Sequence, residues 1–131
     1  MDLKDKKEVV KNARFLDSFK YAFKGVLTVF QEERNMRSHI VIGSIVLLFC
    51  LFLNLAVNEW LWVIFSIFLV IIMEVWNTVI ENVVDLAAGE RYHPLAKKAK
   101  DMAAAAVLMT AGFSVVVAAI IILPKLWQIL F

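Results

Sequence analysis

From Trp60 to Met73 the chain carries no charged side chain, and Glu74, Asn77, Glu81 and Asp85 then follow at its end. A run this apolar is long enough to enter a bilayer, where an open chain must satisfy its backbone internally and so becomes a helix. On a helix, Glu74, Glu81 and Asp85 fall within roughly 20° of a common line, with Asn77 beside them. Three carboxylates on one stripe repel one another, and those inside the bilayer are costly to bury. A chain keeps such a stripe where a cation, a proton or a reacting group occupies it.

Three segments are apolar enough to span: Ile40–Val57, Trp60–Ile80 (ending in the stripe) and Met102–Leu123, each reaching the ~18 residues a span needs. The expected fold is therefore all-α and integral to the membrane, a single domain over residues 1–131. With 62% apolar residues bunched in this way, a small soluble domain is excluded. Cys50 is the one cysteine and lies mid-span, so no intrachain disulfide forms. Residues 1–14 are polar and lack the apolar core of a cleavable signal.

Charge gives the orientation. Nine of the 14 Lys and Arg precede the first span, and Arg91, Lys97, Lys98 and Lys100 lie between the second and third. The expected turn at Asn58-Glu59 has none, and only Lys125 follows the last span. The positive-inside rule makes the N-terminus and the 82–101 loop cytoplasmic. Trp60, Trp62 and Trp127 then all fall at the outer interface, as an aromatic belt requires. The expected location is a cell membrane, crossed several times. No nucleic-acid partner is expected.

Residues 12–35 read as an amphipathic helix, with Phe15, Phe19, Phe23, Val26, Leu27 and Phe30 on one face and Arg14, Tyr21, Lys24 and Thr28 on or near the other. Such a helix suits the inner membrane surface. Its end, Glu32-Glu33-Arg34, places acids where anchoring to anionic lipid gains nothing from them. That points to a site shared with the second span, near the depth of Glu81. Farther on, Gly89 can end one helix and Pro94 can open the next. Lys97, Lys98 and Lys100 read first as a topology anchor, although Lys100-Asp101 opens the third span directly. Ala103–Ala106, Ala111, Gly112, Ala118 and Ala119 allow close helix approach.

The four glycines are too scattered for a P-loop or a kinase glycine-rich loop, and no HExxH, CxxC or nucleophile elbow occurs. Three helices cannot surround the stripe, which points to an oligomer with its site at subunit boundaries. These features leave two readings equally open: a metal-dependent membrane enzyme, or a proton or cation carrier.

The run Glu74-Val-Trp-Asn77-Thr-Val-Ile80-Glu81-Asn-Val-Val-Asp85, followed by Ala99-Lys100-Asp101 before an alanine run, resembles the prokaryotic diacylglycerol kinase family. The resemblance extends from about Arg14 to Leu123. It implies a homotrimer of subunits with an N-terminal surface helix and three transmembrane helices, with sites between subunits. It implies ATP as phosphoryl donor, Mg²⁺ as cofactor and a lipid alcohol as acceptor. Glu74 matches the catalytic base, and Glu33 and Glu81 match the metal-binding pair. Asn77 and Asp85 match supporting polar residues. Arg14, Tyr21, Lys100 and Asp101 match nucleotide contacts, with Glu90, Tyr92 and His93 placed at the nucleotide also. Ala22 stands where the enterobacterial type has serine. Glu33-Arg-Asn-Met-Arg-Ser-His39, His93-Pro-Leu-Ala and the ending Ile-Leu-Pro124-Lys resemble the Gram-positive branch, which implies undecaprenol rather than diacylglycerol as substrate.

Overall fold

The computed structural model describes residues 3–89 and 91–131, with side chains from residue 15 onward. Among these the regular structure is all α-helix: α1 (Leu3–Glu32), α2 (Arg34–Cys50), α3 (Val57–Ala88) and α4 (Pro94–Leu130). It divides into two compact units, the first ending at Glu32 and the second running from Glu33 to Phe131.

The first unit is α1 alone. Phe15, Phe19, Phe23, Val26, Leu27 and Phe30 are all exposed along it, a row of apolar side chains suited to a membrane interface. The helix begins before residue 12 and stops at Glu32, short of the expected 35. Glu33 takes an extended backbone (φ −96°, ψ 119°) and becomes the N-cap position of α2.

In the second unit α3 is central, packing against both α2 and α4. The expected span Ile40–Val57 is not one continuous helix. α2 ends at Cys50, and i→i+3 hydrogen bonds carry the tightened chain on through Leu53. Asn54 then adopts φ 50°, a left-handed conformation that asparagine tolerates better than most residues. The reversal therefore falls at residues 51–56, while Asn58 and Glu59 sit in the first turn of α3. The Glu59 carboxylate accepts the Ala56 N–H at 2.6 Å, satisfying one of the donors at this helix start. That bond, with Lys125 beside it at 3.2 Å, holds the carboxyl below its ordinary range. Lys125 also donates to the Asn54 carbonyl at 3.5 Å, so one side chain ties the far end of α4 to the turn.

At the opposite end α3 runs past the expected span through Asp85 to Ala88. Gly89 closes it at φ 59°, its N–H donating to the Asp85 carbonyl. Pro94 opens α4 after His93, whose Nδ1 accepts the Leu95 N–H at 3.2 Å. Among the described residues the expected 82–101 loop is thus mostly helix, with α3 running to Ala88 and α4 starting at Pro94. α4 likewise continues through Pro124 to Leu130 rather than stopping at Leu123.

Cys50, Val63, Val117 and Ile121 form the buried core of this unit, joining all three helices. Gly43 lets α2 approach α3, since a Cβ there would meet Ile67 Cγ2 at 2.8 Å. Ser66, buried, donates to the Val63 carbonyl and accepts from Ser114 across to α4 at 3.3 Å. Two helices among the described residues, α3 and α4, are long and apolar enough to cross a membrane. Only 33% of the apolar window of α3 and 17% of that of α4 is buried, which leaves wide apolar faces for lipid or for other copies. α2, at 17 residues, falls just short of that length.

Candidate functional site

α3 carries the stripe, and the stripe changes character along it. Glu74 is 1% exposed and Asn77 7%, Glu81 is half-buried, and Asp85 reaches solvent. A single continuous helix thereby grades the same chemical group from dry to wet. Asn77 Nδ2 donates to Glu81 Oε1 at 2.8 Å, one turn apart, fixing the Glu81 carboxylate. Among the described residues its own Oδ1 is buried without a partner, and so is Glu74 Oε1. Two orphaned acceptors on adjacent turns are unusual in a packed interior and mark a place where a donor is wanted. Glu74 contributes only its backbone carbonyl to a local bond, accepting from Thr78 Oγ1 at 3.0 Å.

Facing this stripe is the start of α2. Glu33 and His39, with Glu81 on α3 itself, lie close enough to act electrostatically on the Glu74 carboxyl. The structure thus brings three of the expected acids, Glu33, Glu74 and Glu81, into one neighbourhood, although Glu33 and Glu74 are far apart in sequence. Glu33 makes no capping bond with its side chain. The carboxylates of Glu33 and Glu81 are hard oxygen donors beside a third acid. Mg²⁺ characteristically takes one or two carboxylates together with phosphate oxygens. Among the described residues no three of His, Cys, Asp and Glu converge as a cage of their own. Both carboxylates are thus of the donor type that Mg²⁺ takes together with phosphate oxygens.

Below the stripe, where α3 ends and α4 begins, Asp85 pairs with Lys100 at 2.6 Å. That bond holds the Lys100 ammonium above its ordinary pKa. Both residues line a polar pocket of about 500 Å³ with Arg91, Tyr92, His93, Lys97 and Asp101. Asp101 does not join Lys100; it pairs with Lys97 one turn back. Arg91 and Lys97 therefore belong to this pocket, where the sequence suggested a topology anchor. The signal for Lys97 was the i,i+4 spacing to Asp101, and for Arg91 its place just past the Gly89 helix end.

The remaining expected residues are placed differently. Tyr21 is exposed on α1, in the first unit. The side chain of Arg14 and the whole of Glu90 lie outside the described residues. His39 was not among the expected site residues; only the geometry of α2 against α3 brings it to Glu74.

The pattern of prokaryotic diacylglycerol kinase matches residues 20–122, most of the chain. The chain belongs to that family. It is a family of lipid kinases. A diacylglycerol kinase of Synechocystis is 40% identical over 130 residues, covering 95% of this chain and 74% of that protein. An undecaprenol kinase of Bacillus subtilis is 37% identical over 126 residues, covering 96% of this chain and all of that protein. A diacylglycerol kinase of Escherichia coli is 32% identical over 115 residues, covering 88% and 90%. The matched stretch contains the whole stripe and the Asp85–Lys100 pocket. The geometry of a prokaryotic diacylglycerol kinase chain such as this one is thus a dry carboxylate, a graded acidic helix face and a basic pocket, in that order along α3.

Proposed function

We propose that this chain transfers the γ-phosphoryl group of ATP to undecaprenol at the cytoplasmic face of a bacterial cell membrane. It acts as a homotrimer, with its N-terminus cytoplasmic and each site shared between subunits. The observation that carries the reading is Glu74: buried, on a membrane-length helix, with an oxygen that no group among the described residues satisfies.

In this reading the lipid hydroxyl donates to that oxygen. Glu74 takes the proton as the hydroxyl oxygen attacks the γ-phosphorus in line, and ADP leaves. Transfer is direct, with no phosphoenzyme. Asn77 holds Glu81 through its amide. Lys100, kept charged by Asp85, adds positive charge at the phosphates, in the pocket where Tyr92, His93 and Asp101 lie. Arg14, Tyr21 and Glu90 complete the nucleotide contacts. Glu33 and Glu81 would hold Mg²⁺, which supplies neutralisation of the phosphate oxygens. Along α3, Glu81 lies about 10 Å from Glu74 and about 6 Å from Asp85. A triphosphate rising from the pocket passes Glu81 on its way to Glu74. Most of the acceleration comes from holding two substrates in register.

The relatives divide over the lipid. The full-length match to an undecaprenol kinase and the Glu33–His39 segment support undecaprenol, whereas the Synechocystis relative supports diacylglycerol. Both alcohols require the same base, metal and nucleotide arrangement. A proton or cation carrier would need the acidic path to continue outward. Beyond Glu74 the next acid on α3 is Glu59, already bound to Ala56 and Lys125.

The test is ATP turnover by the purified protein with undecaprenol and diacylglycerol at matched mole fraction in mixed micelles. Undecaprenol is expected to give the higher kcat/KM, with diacylglycerol accepted more slowly. An equal or reversed ratio assigns the chain to diacylglycerol, and turnover of neither lipid rejects the kinase reading.

A further inference from the structure

Arg91 and Lys97 line the polar pocket where α3 ends and α4 begins, yet the proposed transfer gives neither a task. Lys97 is the more informative of the two. Its Nζ donates to Asp101 Oδ2 at 2.5 Å, one turn farther along α4. Three features make that pair a weak one. Its side chains are 61% and 64% exposed, so water screens the attraction. Its order is the less favourable one on a helix, with the cation on the N-terminal side. The cation also stands at the start of α4, near the positive end of the helix dipole. The second ion pair of this pocket is built differently. Lys100 and Asp85 meet at 2.6 Å across two helices, with side chains 35% and 52% exposed, and so hold the end of α3 to the start of α4. Of the two pairs, Lys97–Asp101 opens at the smaller cost.

We propose that Lys97 is a phosphate-binding residue held in reserve: Asp101 neutralises it in the empty pocket, and an entering polyphosphate draws its ammonium off that carboxylate. A polyphosphate offers several anionic oxygens where Asp101 offers a single carboxylate. A lysine ammonium suits the exchange, being a compact charge on a flexible four-carbon stem. Lys100 stays on Asp85 throughout, so the two helices remain joined while the charge between them is redistributed. Asp101, once released, can accept from a hydroxyl or amino group of the nucleoside. Charge is thus concealed until an anion arrives: of Arg91, Lys97 and Lys100, two are offset by Asp101 and Asp85. Lys98 supplies the comparison. It carries the same charge one residue along, is exposed, and is not among the residues that line the pocket.

The inference rests on the kinase reading of this pocket and assigns the polyphosphate grip within it. The experiment is calorimetric binding to the full-length protein in micelles, with ATP and with tripolyphosphate, a probe that has phosphates and no nucleoside. Tripolyphosphate is titrated without Mg²⁺, so that metal-holding carboxylates take no part. Lys97→Gln should weaken tripolyphosphate by about tenfold, the scale of one lost charge-assisted bond. Lys97→Arg should stay within about threefold of wild type, because it keeps the charge with a different donor geometry. Lys98→Gln should stay within about twofold, since its charge is screened from the pocket. Asp101→Asn releases Lys97 in advance, and should tighten tripolyphosphate by about threefold, the scale of an exposed ion pair. That gain should be absent when Lys97→Gln is also present. Unchanged binding in Lys97→Gln, or equal weakening by Lys97→Gln and Lys98→Gln, overturns the assignment. So does Asp101→Asn if it tightens nothing, or tightens equally with and without Lys97, because Asp101 would then act by charge alone. A wild type that binds both probes and phosphorylates neither lipid would reject the kinase reading, and the Lys97 comparison would still decide for or against the grip. A wild type that binds neither probe overturns both.

Discussion

Glu74, Glu33 and Glu81 carry distinct tasks in the proposed reaction, and substitution separates them. Glu74→Gln removes the base while keeping volume and an acceptor, so the protein should assemble normally and lose 10²-fold or more in kcat, the usual cost of a missing general base. Near-normal turnover by a folded Glu74→Gln protein would take Glu74 out of that role. Glu33→Ala and Glu81→Ala should each abolish Mg²⁺-dependent turnover. The double change should cost little more than either alone, because both would hold one ion. Defects that multiply would mean the two acids serve different groups. The Asp85–Lys100 pair predicts a pH signature. The bond raises the Lys100 pKa, so its contribution is fully present below the ordinary lysine value and is lost only as pH rises through the raised one. In Asp85→Asn the ammonium should therefore titrate earlier. The alkaline rise in the KM for ATP should move to lower pH, which a pH series of initial rates measures.

At the scale of the helices, the sequence revealed the acidic stripe because a helix converts spacing into a face without help from anything else. Gly89 and Pro94 were equally legible, since a left-handed residue and a helix-opening proline act locally. The boundary near residue 50 was not legible. Val, Leu and Phe continue on both sides of it, so apolar content alone hides a reversal that depends on Asn54 at positive φ and on the Glu59–Ala56 bond. The same limit explains Lys97 and Arg91, whose membership of the pocket depends on how the start of α4 meets the end of α3 at Asp85. His39 was invisible for the plainest reason: only the packing of α2 on α3 brings it to Glu74. That packing has its own test. Gly43→Ala would place a Cβ 2.8 Å from Ile67, so the side chain or the helix must shift. The expected cost is about 1–3 kcal/mol of stability, typical of overpacking. It should appear as a lower Tm with the KM for ATP unaltered. Ser114→Ala, which removes one interhelical hydroxyl bond, should cost about 0.6 kcal/mol, the average for such bonds in membranes.

For the whole molecule, the open apolar faces of α3 and α4 leave surface for lipid or for other copies, and the proposed homotrimer with shared sites has its own test. If Glu33 and Glu74 serve one site from neighbouring subunits, mixing inactive Glu33→Ala chains with inactive Glu74→Gln chains should restore part of the activity. No recovery after verified subunit exchange would place each site within a single chain.

The continuous helix from Val57 to Ala88 is about 48 Å long, whereas the hydrocarbon of a bilayer is about 30 Å thick. In the proposed orientation the depth of Glu74 is thus set by a long helix whose outer end carries Glu59, bound to Lys125, and the tryptophans, while the depth of the proposed acceptor hydroxyl is set by the lipid around it. The protein behaves as a ruler laid against a surface whose position the membrane chooses. Thin or thick bilayers would slide the alcohol past its base even with every residue intact. Reconstitution into phosphatidylcholines of increasing acyl length should therefore give turnover with a maximum, falling on both sides.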